Sequence, residues 1–215
     1  MTDVTYDVYL REVLPLVPGV AEPVAINAIR NAVIEFCEGS DWLQFEHAPI
    51  TTVPNVADYE FEFDGDYVEA RVMTAYLNRQ LKPISEEELR QRYGSTVNWR
   101  DLVGEPRFYI QMSKDMVRLV PMPLERVQNG LKMVIAIKPT RDSEGADETI
   151  YQQWAEGIAI GARARLHEIP GQPFYDPNTA NVLRLRFRDV IAAARIERNR
   201  GLTRANLRVQ MRQYV

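Results

Sequence analysis

Few residues in this 215-residue chain have the type and spacing that chemistry needs. Glu60, Glu62 and Asp64 alternate, so on a strand their carboxylates share one face. A hard cation would suit them, but such sites usually combine converging carboxylates with a turn. The simpler reading is a solvated strand face, and no metal is expected. Glu86, Glu87 and Glu88 suit the positive end of a helix dipole. Cys37 is the single cysteine, which excludes an intramolecular disulfide and a multi-cysteine metal site. It lies on an apolar stripe with only Arg30 as a basic neighbour, so a buried structural thiol is expected rather than a nucleophile. His47 precedes a strand-like run without a visible ligand partner, and His167 ends a helix, where a cation suits the dipole. Trp42, Trp99 and Trp154 read as core or interface anchors. There is no G-x-x-x-x-G-K-[ST] phosphate loop, no G-x-G-x-x-G and no G-x-S-x-G elbow. Neither an enzyme nor a cofactor is expected.

The elements that would position these residues are legible from apolar spacing. Pro23 suits a first helical turn, Ile26, Ile29, Val33, Phe36 and Cys37 recur at three-to-four spacing, and Gly39 reads as the stop, which predicts a helix over 23–38. Residues 5–14 are short and mixed. Tyr59, Phe61 and Phe63 alternate with acids and lead into Asp64-Gly65, a hairpin signal before a second strand at 68–77. Ser85 and Glu88 form a capping-box pattern for a short helix over 86–92. Phe108–Met112, Met116–Val120 and Leu131–Ile137 read as further strands. Ile150, Trp154, Ile158, Ala162 and Leu166 make one stripe on a helix of about 147–168. Gly157 and Gly161 adjoin it, where close contact with another helix would explain two poor helix formers. Asp176-Pro177 starts a last helix whose stripe is Ala180, Leu183, Phe187, Ile191 and Ala194, running to Arg200 before Gly201.

The expected fold is α+β, mainly α: a helical bundle of 1–44 with 140–200 that carries a β-rich insertion, 45–139, and ends in an extended arm, 201–215. The predicted core joins Trp154, Ile158, Leu166, Leu183, Phe187 and Ile191 to Ile29, Val33 and Phe36. Hydrophobic residues make up 46% and charged residues 26%, the balance of an ordinary globular chain. The longest strongly apolar run outside a helical pattern, Met133–Ile137, is far short of the ~20 residues a membrane span needs. Asp3 and Asp7 stand where a secretory leader would need positive charge, so none is expected.

Charge is uneven along the chain. Residues 1–160 hold 15 Lys or Arg and 26 Asp or Glu, whereas residues 161–215 hold 11 Arg, no Lys and 4 acids. An acidic body with a basic end points to a negatively charged partner: nucleic acid, an acidic protein surface or another copy. Arginine alone, without lysine, favours protein interfaces and planar carboxylate recognition. The alternative is a solvated helix face.

Six segments occur together in order: VLPLVPGV at 13–20, AIRNAVIEFCEGSDWL at 28–43, GEPRFY at 104–109, VRLVPMP at 117–123, YQQWAEGIAIGARARL at 151–166 and YDPNTA at 175–180. Together they resemble the head-to-tail adaptor (connector) proteins of tailed bacteriophages, particularly short-tailed ones. Gly145-Ala146-Asp147 replaces a proline-containing helix start, and Phe174-Tyr175 stands where that pattern has tryptophan. The resemblance implies a structural virion protein at the neck, made in the host cytoplasm. It implies a ring, typically of twelve subunits, below the portal. Its partners would be itself, the portal protein, tail or nozzle proteins, and genomic DNA passing through without sequence recognition. The resemblance implies no membrane partner. The alternative is a DNA-binding module that uses the arginine-rich C-terminal part.

The expected interaction residues lie at the end of the chain: Arg200, Arg204, Leu207, Arg208, Val209, Met211, Arg212 and Tyr214. Leu207, Val209 and Met211 alternate with polar residues, as in a strand added to a partner's sheet. Arg200, Arg204, Arg208 and Arg212 also recur every four residues, as on a helix whose like charges repel. An arm that orders on the portal or a neighbouring subunit, extended rather than helical, is expected; a frayed terminus is the alternative.

Overall fold

Apolar stripes at helical spacing form the long helices, and the period-two stretches between them form strands. The structure, a computed structural model, describes residues 3–61, 66–94 and 98–201, and at Glu69 the backbone alone. In chain order the described elements are β1 (Asp3–Thr5), α1 (Leu10–Val13), α2 (Glu22–Ser40), β2 (Gln44–Thr52), β3 (Asp58–Glu60), β4 (Tyr67–Leu77), β5 (Arg79–Pro83), α3 (Glu86–Tyr93), β6 (Phe108–Gln111), β7 (Met116–Val120), β8 (Val127–Pro139), β9 (Gly145–Asp147), α4 (Glu148–His167) and α5 (Pro177–Arg200), with short 3₁₀ turns between some of them. The result is a mixed α/β chain, with more sheet than the expectation of a mainly helical one allowed. Contacts divide it into two compact units, Met1–Trp42 with Arg141–Val215, and Leu43–Thr140.

In the first unit α2, α4 and α5 pack on one another. Ile29, Val33 and Phe36 of α2, Ile158 and Leu166 of α4, and Leu183 and Phe187 of α5 are buried, as their stripes require. Trp154 and Ile191 are half-buried instead. The Trp154 ring stands edge-on to Trp42, with centroids 5.4 Å apart, and tilted against Phe36 at 5.6 Å. Gly157 and Gly161 face α5: a Cβ on the first would come within 2.5 Å of Val190, and one on the second within 2.7 Å of the Phe187 ring. Gly39 does not stop α2. The helix continues to Ser40, Asp41 takes the left-handed conformation (φ 55°), and a Cβ at Gly39 would lie 2.6 Å from Ile191. A close helix contact, rather than a turn, requires glycine there.

The mixed N-terminal stretch belongs to the same core. Tyr6, Tyr9, Val13 and Val17 are buried. β1 pairs antiparallel with β9, Asp3 opposite Asp147, and so ties the start of the chain to the start of α4. Helix starts follow their caps. Asp147 accepts the Thr149 N–H, and Asp176 accepts those of Asn178 and Thr179.

The second unit is a seven-stranded sheet ordered β2-β8-β4-β5-β6-β7-β3. β8 is longer than its apolar run suggested, and β2, which contains His47, pairs with it along an edge. The expected hairpin of neighbouring strands does not form between β3 and β4: β3 pairs with β7 at the far edge, and β4 with β8 and β5. Phe63, Asp64 and Gly65 lie outside the described residues. Tyr59 and Phe61 are buried and Glu60 is exposed, as alternation requires. Arg118 grips Asp58 across β7 and β3 with two hydrogen bonds, of 2.7 and 2.6 Å, and this carboxylate raises the guanidinium's pKa. Ser85 and Glu88 make the reciprocal capping box that starts α3. Leu89 of α3 packs with Trp99 and Val120 in a cluster completed by Ile84, Tyr93, Leu102, Phe108 and Ile110.

Two expectations test the first unit. Phe187→Ala should cost about 3–5 kcal/mol in chemical denaturation, because the cavity opens against α4. Gly161→Ala should also lower Tm, although alanine is the better helix former by about 1 kcal/mol, because the buried Phe187 ring fills the space. An unchanged Tm in both variants would contradict the packing described. The second expectation concerns alkali. Burial pushes the Tyr6 hydroxyl from 10.0 up to about 12, against the opposing hydrogen bond to Ser143, and burial raises Tyr9 as well. Both stay protonated in the fold where the unfolded chain ionises, so their stabilisation is intact below pH 10 and is lost as pH rises through the raised values. The Tyr9 hydroxyl is buried with no hydrogen-bond partner among the described residues. Tyr9→Phe should therefore leave Tm at pH 7 unchanged or higher and make the alkaline fall shallower, as thermal melts between pH 7 and 12 would read.

Candidate interaction surfaces

The arginine-rich end is where the sequence points to a partner, and the helices decide which of those arginines can meet one. Arg165 of α4 pairs with Glu35 of α2. Arg184 of α5 makes a forked contact with Glu168, with Nε to Oε1 at 2.9 Å, and that carboxylate raises its pKa. Arg195 donates to the carbonyl oxygen of Gly39. These three join helix to helix inside the unit. Arg163 is held below the usual guanidinium range, first by burial and then by the charge of Arg186. Arg186, Arg188 and Arg200 are exposed and have no carboxylate partner among the described residues.

The outer face of α5 is more than a charged surface. Leu183, Phe187 and Ala194 turn inward. Val182, Leu185 and Ile196 are exposed by 50%, 61% and 46%, and helical spacing puts them on the opposite face, along with Arg186 and Arg200. This face interleaves exposed apolar side chains with Arg186, Arg200 and Asp189, and arginine beside apolar groups is a combination enriched at protein interfaces. The sequence held this signal, since Val182, Leu185 and Ile196 recur at three and eleven. The inward stripe by itself suffices to specify the helix, so the outer residues add nothing to its periodicity.

Of the expected interaction residues, Arg200 ends α5 on this outer face. Gly201 closes the helix at φ 61°, its N–H bonded to the Glu197 and Arg198 carbonyls. Arg204, Leu207, Arg208, Val209, Met211, Arg212 and Tyr214 lie outside the described residues.

Cys37 is fully buried on α2. His167 Nδ1 lies 2.6 Å from the Phe174 carbonyl oxygen at the end of α4. His47 lies within β2, its Nδ1 2.7 Å from the Ala48 carbonyl and its ring edge-on to Phe61. Glu60 is exposed on β3, while Glu62 and Asp64 lie outside the described residues. No cluster of three or more histidine, cysteine or acidic ligands occurs among the described residues. Among the same residues no helix is long and apolar enough to cross a membrane.

A second concentration of cations escaped the sequence reading. Arg79 at the head of β5, Lys82 further along it, Arg92 near the end of α3 and Arg107 just before β6 converge on one cleft beside Tyr93 and Phe108. They are scattered over 29 positions, among acids, and no run or period joins them.

The SU10 adaptor protein family matches residues 5–211. No curated protein gives a significant match. The chain belongs to the SU10 adaptor protein family and is a structural head-to-tail adaptor of a bacteriophage.

Proposed function

We propose that copies of this adaptor close into a twelve-membered ring below the portal of a short-tailed phage. The ring joins the portal to tail or nozzle proteins and leaves an axial channel through which the genome passes without sequence recognition. One observation carries this reading: α5 buries one face and leaves Val182, Leu185 and Ile196 exposed beside Arg186 and Arg200 on the other. A ring requires each subunit to present two different faces that close by rotation. The outer face of α5 supplies one. The acidic excess of residues 1–160 supplies charge for the other.

In this reading the helical unit is a bundle, 1–44 with 140–200, that carries 45–139 as an insertion. Residues 201–215 are a docking arm for the portal or the neighbouring subunit. A DNA-binding role for the arginine-rich part draws less support, because Arg165, Arg184 and Arg195 are spent on contacts between elements of the chain itself.

Native mass measurement with and without portal rings tests the assembly. Leu185→Glu with Ile196→Glu should leave Tm nearly unchanged, as surface changes do, and should abolish the ring-sized species. Persistence of that species would sink the α5 interface. Deletion of 202–215 should spare the fold and weaken attachment to portal rings by tenfold or more, about 1.4 kcal/mol. Undiminished attachment would remove the arm's role. A DNA affinity that falls with salt at a log–log slope near −0.9 per phosphate contact would favour the DNA-binding module instead.

A further inference from the structure

The second concentration of cations is a built cleft, and it lies wholly within the β-rich unit. It is an open concavity of about 390 Å³, lined by Arg79, Lys82, Arg92, Tyr93, Arg107 and Phe108. We propose that it is a docking site for a short acidic polypeptide segment of a partner protein. The proposal draws on this unit alone and does not rest on the ring reading.

The walls are held in place by the fold. Lys82 and Phe108 are register partners in the parallel pair of β5 and β6, and the Lys82 N–H donates to the Arg107 carbonyl at 3.0 Å. Tyr93 and Phe108 pack on the Leu89, Trp99 and Val120 cluster, so the aromatic side of the cleft is continuous with a packed core. The Arg92 guanidinium lies over the Phe108 ring at 4.7 Å, which restrains a side chain that would otherwise move freely in water. Four cations therefore line one concavity, and the ring contact lowers the ordering cost for Arg92.

Three of these four cations lack an ion-pair partner among the described residues. Arg79 meets Glu105 at 3.1 Å and donates weakly to the Pro106 carbonyl, yet its buried Nε has no hydrogen-bond partner among the described residues. Lys82, Arg92 and Arg107 have no ion pair among those residues. Nor is the cleft a sample of a basic surface. Residues 43–140 hold 14 Asp or Glu against 12 Lys or Arg, so four cations at one place form an island.

Two features favour a carboxylate-bearing peptide over nucleic acid. Glu105 on Arg79 shows that a carboxylate fits the first guanidinium of the cleft. Duplex DNA carries a charge every ~1.7 Å and would run past so small a site onto an acidic unit. A short peptide can place one or two carboxylates in the cleft and end there. The Arg92 guanidinium also covers a face of Phe108 that a base would need for stacking.

The full-length chain at low salt can be titrated with fluorescein-labelled hexaglutamate, read by anisotropy, with hexaglutamine as the uncharged control. Hexaglutamate should bind and hexaglutamine should not. Arg92→Gln with Arg107→Gln should raise Kd more than about tenfold, since each substitution removes a charged hydrogen-bond donor to the bound carboxylates. Arg126→Gln with Lys132→Gln, exposed cations outside the cleft, should change Kd less than about twofold, as rim charges do. Equal losses in the two pairs would overturn the site. So would hexalysine binding as tightly as hexaglutamate, a comparison that needs no variant. An oligothymidylate that displaces the probe at lower residue concentration than unlabelled hexaglutamate does would assign the cleft to nucleic acid and overturn the peptide.

Discussion

The close approach of α5 to α4 and α2 is the contact on which the helical unit depends. At three places a side chain of α5 occupies the volume that a Cβ would need: Val190 at Gly157, Phe187 at Gly161 and Ile191 at Gly39. Without those methyl groups the helices come near enough for a large ring to touch backbone, where many weak dispersion contacts add up. The glycines weaken their own helices, by about 1 kcal/mol each. The offset comes from packing that no isolated helix could make. The same contact brings α2 together with the C-terminal helices across the 107 residues between Ser40 and Glu148. Closing so long a loop costs only about 0.6 kcal/mol more for each doubling of its length. A large insertion is therefore tolerable provided the seam it interrupts is tight.

The second unit holds itself together by different means. β8 lies between β2 and β4, and its buried positions Leu131, Met133, Ile135, Ala136 and Ile137 supply much of the sheet's apolar surface. The far half of the sheet is thinner. There α3 covers β6 and β7 through Leu89, and Arg118 pins the edge strand through Asp58. A forked, half-buried pair of this kind resists solvent better than an exposed one and also specifies register. The Tyr109 hydroxyl reaches back to the Val72 and Met73 carbonyls, a further tie between the halves.

Arginine chemistry suits two kinds of contact. Planar guanidinium groups meet carboxylates and backbone carbonyls in fixed geometry, as Arg165, Arg184 and Arg195 do between elements of the helical unit. The same chemistry suits contacts between proteins. Which job a given arginine performs depends only on the direction its helix turns it. Arg184 and Arg186 are two residues apart and differ in this way: one is clasped by Glu168, and the other faces outward beside Leu185.

Much of the local structure was legible. The capping box at Ser85, the Asp176-Pro177 start, the Gly201 stop and the buried stripes through Phe36, Ile158 and Phe187 follow from dihedral preferences and from 3.6-residue periodicity. Those are properties of adjacent residues, so a single sequence carries them. The six ordered segments likewise carried the adaptor family. The sequence did not reveal that Tyr6 and Tyr9 are core, that Gly39 marks a contact rather than an end, or that β3 pairs with β7 instead of β4. Each of these depends on residues tens of positions away. The cleft shows the limit most plainly. Arg79, Lys82, Arg92 and Arg107 share no period, and each reads alone as a solvated charge. Only the parallel pairing of β5 with β6, and the seat of α3 on that pair, gathers them. Composition and local spacing determined which elements form and which family the chain joins. Long-range pairing decided which charges converge, because convergence is a property of distances through space that order along the chain does not encode.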